Sequence, residues 1–197
     1  MIEKAFEDSF QEAAICLERF RADRSALNAL TSLAQRLTEA FTRGGKVLIA
    51  GNGGSMTDAM HFAEEWTGRF RSDRRPFPAL ALSDPAHLSC VANDYGFEFV
   101  FSRMVQAFAG PADILILLTT SGNSPNLLRA AEAAKEAGCH VAGFLGRGGG
   151  KLLPLCDTAI MTPGDTSDRI QELHMMSLHV LIEAVEATLE PAQPIAT

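Results

Sequence analysis

From Lys46 onward, short apolar runs alternate with stretches long enough to be helices, and this rhythm restricts the fold more than any other feature. The runs are 47–50, 79–82, 114–118, 141–145 and 158–161. Strand-length runs separated by helix-length segments specify βαβ units, because each crossover must return over the sheet before the next parallel strand begins. The expected fold class is α/β, a doubly wound five-stranded parallel sheet. If the strand order is flavodoxin-like, the first and third strands are neighbours where the order reverses, and the loops after them open into one crevice. Periodicity alone does not fix that order.

The two loops in question are Gly51-Asn52-Gly53-Gly54-Ser55 and Thr119-Thr120-Ser121-Gly122-Asn123-Ser124. Each opens a helix, whose first N–H groups are free and whose positive dipole end favours an anion. The first loop has Met56 where a dinucleotide fingerprint needs its third glycine, and no Gly-Lys-Ser/Thr triplet occurs, so neither an NAD site nor a Walker loop is encoded. The second loop carries the hydroxyls of Thr119, Thr120, Ser121 and Ser124 without a lysine, which suits a phosphate monoester. Ser124 before Pro125 also reads as a helix N-cap, but one cap does not call for four hydroxyls.

Two amphipathic helices precede the first βα unit. Ile2, Phe6, Phe10, Ala13, Leu17 and Phe20 share one helical face; Leu27, Leu30, Leu33, Leu37 and Phe41 share another, and Gly44-Gly45 supplies the stop. They make an N-terminal helical extension over 1–44, placed to cap the sheet or to pair with another subunit. The last helix, 168–189, is apolar on more than one face through Met175, Met176, Leu178, Val180, Leu181 and Ile182, and the tail 191–197 reads as frayed.

A chain of 197 residues holds one domain of this kind. Its net charge of -7 argues against a nucleic-acid-binding face, and the basic cluster Arg69, Arg71, Arg74 and Arg75 reads as a solvated helix end and loop. No apolar run approaches the ~20 residues of a membrane span. The N-terminal residues lack the order of a signal peptide, and Cys16, Cys90, Cys139 and Cys156 have neither zinc-ribbon nor redox spacing. A cytoplasmic protein with reduced thiols, and without nucleic-acid or membrane partners, is expected.

On the helix after the first loop, His61 and Glu65 stand four apart on one face, a spacing equally typical of a surface pair. The last helix carries Gln171, His174 and His179. His174 suits a core position as well as a functional one, and Gln171 suits the far half of a capping box begun at Asp168. Gln171 and His179 are separated by roughly 12 Å of helix rise. One intact helix would struggle to bring both to one small ion or substrate, so two copies of it, or a break, are called for.

These residues, together with Asp58-Ala59-Met60-His61-Phe62-Ala63-Glu64-Glu65, Thr67-Gly68-Arg69, Asn93-Asp94 and Asp168-Arg169-Ile170-Gln171-Glu172, resemble the sugar isomerase (SIS) domain family over nearly the whole chain. Within that family the chain is most similar to the branch that isomerises heptose phosphates. The hydroxyl loop is general to the family, whereas Glu65 with His179 is the more specific signal. The resemblance implies that Ser55, Thr119, Ser121 and Ser124 hold a phosphate and that Asn52, Gly53, Asn93, Asp94 and Gln171 contact the sugar, with Gly54 and Thr120 also in the substrate site. It further implies Glu65 and His179 as the acid–base pair, Arg69 and Asp168 in support, and one zinc ion per subunit on His61, Glu65, Gln171 and His179. The implied assembly is a homotetramer with active sites at its interfaces.

The implied reaction is the ketose-to-aldose conversion of sedoheptulose 7-phosphate to D-glycero-D-manno-heptose 7-phosphate through an enediol, serving lipopolysaccharide core or related glycan synthesis. Two positions depart from the family pattern. Thr119 stands where serine is expected, with the hydroxyl kept, and the turn Arg147-Gly148-Gly149-Gly150 is richer in glycine than in many relatives. Alternative readings are a non-catalytic relative that binds a replication initiator, which generally lacks the counterparts of Glu65 and His179, and longer SIS enzymes such as arabinose phosphate isomerases or muramic acid phosphate etherases.

Overall fold

Two helices, α1 (Ile2–Ala22) and α2 (Arg24–Thr42), lead the chain in the computed structural model, which describes residues 1–189. Asp23 between them has an extended backbone, and its carboxylate accepts from the amides of Ser25 and Ala26, so one residue ends the first helix and caps the second. There follow β1 (Val47–Gly51), α3 (Gly54–Thr67), β2 (Ala79–Ala81), α4 (Pro85–Asp94), α5 (Ser102–Phe108), β3 (Ile114–Thr119), α6 (Pro125–Glu136), β4 (His140–Leu145), β5 (Thr158–Met161) and α7 (Ser167–Leu189).

All five strands are parallel, in the order β2-β1-β3-β4-β5. That is the flavodoxin-like order. Its consequence is local: Gly51 at the end of β1 stands beside Leu118 near the end of β3, so the two glycine-and-hydroxyl loops emerge side by side.

Successive strand residues point to opposite faces, and each face has its own core. Ile49, Ile116, Phe144 and Ile160 meet Phe62 and Trp66 of α3, Leu33 and Leu37 of α2, and Leu181 and Ile182 of α7. Their strand neighbours Leu48, Leu115, Leu117 and Val141 meet Val105 of α5 and Leu127, Ala130, Ala131 and Ala134 of α6. Each of these large side chains contributes about 1.5–3 kcal/mol by leaving water. The small alanines let α6 lie close against the strands.

The extension divides its roles. α2 caps the sheet against β5 and α7, while α1 touches α2 and α7 over a short stretch and buries only Cys16 and Phe20. Ile2, Phe6 and Phe10 are exposed, so much of the apolar stripe of α1 faces outward. α7 is unbroken; it buries Ile170, Leu173, His174, Leu178 and Leu181 and leaves Met176 and Val180 exposed. The tail 191–197 lies outside the described residues.

In the basic cluster after α3, Arg69, Arg71 and Arg75 are exposed, as its composition suggested, whereas the Arg74 side chain is not. Arg74 is buried, ion-paired with Glu186, and donates to the carbonyl oxygens of Glu65 (2.7 Å) and Trp66 (2.9 Å), while Arg71 pairs with Glu183 at 2.6 Å. Arg74, with Arg71 beside it, clamps the C-terminal end of α3 onto α7. Their partners lie 112 residues away in sequence, where no local reading of charge finds them.

Candidate active site

The loop after β3 is shaped by its own hydroxyls. Thr119 is buried, and its Oγ1 accepts from the amides of Ser121 (3.3 Å) and Gly122 (3.0 Å); Ser121 Oγ accepts from Asn123 N at 3.3 Å. Thr119 therefore serves the fold of the loop, where the resemblance implied a direct phosphate contact. Ser124 occupies the N-cap position of α6 with Pro125 next, but its side chain makes no capping bond. The cap alone does not explain its hydroxyl.

The glycine-rich turn after β4 lies directly on this loop. A Cβ at Gly122, where φ is +67°, would stand 1.8 Å from the carbonyl oxygen of Gly149, and one at Gly150 would stand 2.5 Å from that of Ser121. Leu152 N donates to Gly122 O (2.9 Å) and Lys151 N to Asn123 Oδ1 (3.1 Å). Backbone against backbone at this distance admits glycine only. The turn thus buttresses the hydroxyl loop, which accounts for the glycine at 150, while positive φ accounts for those at 148 and 149.

The two loops are joined. The side-chain amides of Asn52 and Asn126 exchange two hydrogen bonds, of 3.1 and 2.8 Å. Beside them opens a crevice of about 750 Å³ lined by Asn52, Gly53, Met56, Phe97, Glu98, Ser124, Asn126 and Arg129. Asn126 and Arg129 were not singled out from sequence; their position in the first turns of the helix that follows the hydroxyl loop was the available signal. Phe97 and Glu98 come from a segment between α4 and α5 with no motif to mark it.

Ser55 and Gln171 meet at the starts of α3 and α7, with Gln171 Nε2 3.4 Å from Ser55 Oγ. A Cβ at Gly54 would press on the Gln171 carboxamide at 2.7 Å, so glycine there makes room for it. Thr120 Oγ1 lies 3.3 Å from Ser167 Oγ, the first residue of α7. The starts of α3 and α7 are thus tied to the loop system from which α6 begins.

A second cluster forms farther along α3 and α7. His61 Nε2 is 3.0 Å from His179 Nε2 and 3.4 Å from Glu65 Oε1. Glu65 and His179 are half-buried and His61 is exposed. Burial lowers the His179 pKa below its ordinary value; His61 and Arg71 add to this and Glu65 opposes it.

The contacts put Ser55 beside Gln171 and Glu65 beside His179, so the two helices run alongside in the same direction. The separation of Gln171 from His179 expected from helix rise holds within one chain, because α7 is unbroken. Glu65 and His179 meet within one chain without any second copy of α7. Gln171, two turns back on the unbroken helix, stands with Ser55, roughly 12 Å of helix rise from His179, and is not the fourth member of that cluster within one chain.

His61, Glu65 and His179 offer ligand atoms that all lie within 4.8 Å of one another. Ligands around a tetrahedral zinc with bonds of ~2.0–2.1 Å stand about 3.3 Å apart, close to the spacings seen here. Two imidazoles and a carboxylate are also the donor set of zinc sites that keep a fourth position open. The trio fits the ion.

Asn93 and Asp94 end α4, exposed and bonded to each other at 2.7 Å, and neither lines the crevice. Arg69 is exposed beyond α3. Asp168 is exposed in the first turn of α7, where a hydrogen bond from Thr166 holds its carboxyl below the usual range. No hydrogen bond or ion pair found among the described residues ties Asn93, Asp94 or Arg69 to the hydroxyl loop or to the trio.

A family model described as SIS domain matches residues 10–146. A phosphoheptose isomerase of Fusobacterium nucleatum is 52% identical over 175 residues, 89% of this chain and 90% of the relative. Another, of Cytophaga hutchinsonii, is 46% identical over 190 residues, 96% of this chain and 100% of the relative. The solved structure of a phosphoheptose isomerase from Neisseria gonorrhoeae has a TM-score of 0.88 at 32% identity, covering 95% of this chain and 100% of that one.

Proposed function

The chain belongs to the SIS domain family and is an isomerase of its phosphoheptose isomerase group, and from that premise we propose that it converts sedoheptulose 7-phosphate to D-glycero-D-manno-heptose 7-phosphate in cytoplasmic heptose synthesis for lipopolysaccharide core or related glycans. The meeting of Glu65 and His179 supports this reading most directly.

Moving a carbonyl from C2 of a ketose to C1 of an aldose takes a proton from C1 and returns one to C2, while a second proton passes from O1 to O2. Glu65 carries the carbon-bound proton. His179 serves the oxygens, and its lowered pKa keeps the ring neutral near pH 7, with one nitrogen to donate and one to accept. A Zn²⁺ on His61, Glu65 and His179 would supply Lewis acidity toward the carbonyl. Ser121, Ser124 and the free amides at the helix starts hold the phosphate, and Asn52 and Gly53 in the crevice wall face the sugar.

The reaction is tested by incubating the purified protein, with zinc, in deuterium oxide with sedoheptulose 7-phosphate. Aldose heptose 7-phosphate labelled at C2 is expected. Neither conversion nor exchange at adequate enzyme would overturn the assignment.

The phosphate loop adjoins the Ser55 end of α3, and Glu65 lies about 15 Å farther along that helix. We therefore propose a homotetramer in which the loop of one copy faces the trio of another; the outward stripe of α1 supplies apolar surface for assembly. Mixed oligomers test this. Glu65→Gln with Ser121→Asp should regain activity, because one intact loop then faces one intact trio. Glu65→Gln with His179→Gln should stay inactive, because both residues come from one chain. Verified mixed oligomers of the first pair that remain dead would reject the shared site.

A further inference from the structure

Arg147 is the only non-glycine residue with positive φ among those described, at +46°, and it begins a turn in which Gly148, Gly149 and Gly150 have φ of +80°, +78° and +54°. A side chain at such an angle is disfavoured, and glycine would hold the position without steric cost. What the arginine does there is therefore informative. Its Nε donates to the carbonyl oxygen of Asp165 (3.2 Å) and its Nη2 to Ser167 Oγ (3.2 Å), and Ser167 Oγ lies 3.3 Å from Thr120 Oγ1 in the hydroxyl loop.

Donor and acceptor counts give this chain of bonds a direction. A guanidinium only donates, so it occupies a lone pair of Ser167; the single Ser167 hydrogen is then free to go to Thr120, and the Thr120 hydrogen is left to point at whatever the loop binds. A charged donor at the head strengthens each bond behind it. The loop itself, 119–124, contains no cation.

We propose that Arg147 is a positioning residue for the substrate phosphate, acting through Ser167 to make the Thr120 hydroxyl a committed donor to the anion. This rests on the reading of the hydroxyl loop as the phosphate site. The conformational cost at residue 147 is then borne for ligand binding, which explains why the first residue of a glycine-rich turn is not itself glycine.

The test reads KM for sedoheptulose 7-phosphate, kcat and the thermal midpoint for Arg147→Gly, Arg147→Lys, Ser167→Ala, the Arg147→Gly/Ser167→Ala double variant and Ser121→Ala. Arg147→Gly is expected to raise KM about tenfold, with kcat within about twofold and a midpoint unchanged or higher. Ser167→Ala should act similarly, the double variant should be no worse than either single one, and Arg147→Lys should recover part of the loss. A purely structural role predicts the reverse for Arg147→Gly, a lower midpoint with unchanged KM. That result, or effects of the two single variants that multiply in the double one, would overturn the relay. Ser121→Ala separates the two readings. If it leaves KM unchanged, the phosphate loop itself is misassigned; if it raises KM while Arg147→Gly does not, only the role of Arg147 fails.

Discussion

Turnover of the Glu65→Gln variant is expected to fall by roughly 10² to 10⁴, the range for losing a positioned general base, with the fold and phosphate binding intact. The substitution keeps shape but removes the negative charge, and with it the capacity to take a proton and part of the affinity for a metal. His179→Gln is expected to fall in the same range. Steady-state kinetics beside thermal unfolding of both variants decide the matter, because a structural pair would lower the midpoint and leave the surviving enzyme at normal turnover. Near-normal kcat in either variant would move the proton chemistry elsewhere.

The second large effect lies in the core. His174 is fully buried against the ring of Phe144, 5.9 Å between centroids, and neither ring nitrogen has a hydrogen-bond partner among the described residues. Burial pushes its pKa down to about 3. In the unfolded chain the ring titrates near its ordinary ~6.5, so between these values the unfolded state binds the extra proton. The stabilisation is whole above about pH 6.5 and is lost as the pH falls toward 3, a change on the order of 5 kcal/mol. His174→Met, similar in bulk and without a charge to bury, should flatten denaturant midpoints measured from pH 7 to pH 4. If its profile runs parallel to that of the parent, another group governs acid sensitivity.

The strands were legible because two-faced burial forces aliphatic runs, whereas their order, which periodicity leaves open, is seen only in the pairing of the folded sheet. The loops were legible because glycine and hydroxyls at a strand-to-helix junction mark a tight turn with free N–H groups. How α3 and α7 lie against each other was not, since each presents more than one usable face. The sequence therefore separated Gln171 from His179 by distance without showing that Ser55 and Glu65 divide the two ends between them. The role of Arg74 was missed for a related reason: charge is visible locally, while its partner Glu186 comes from the far end of the chain. Residues 147–150 looked merely permissive because the backbone they lie against belongs to another loop.

The paired amides of Asn52 and Asn126 form a neutral clasp. Neither side chain titrates, so the junction between the two loops keeps its strength across pH and is little affected by salt. A dianion entering beside it meets no ion pair that must be broken first, and the entropy of ordering the two loops has already been lost in folding. If the proposed phosphate binds here, the free energy of its capture is left to act on the sugar.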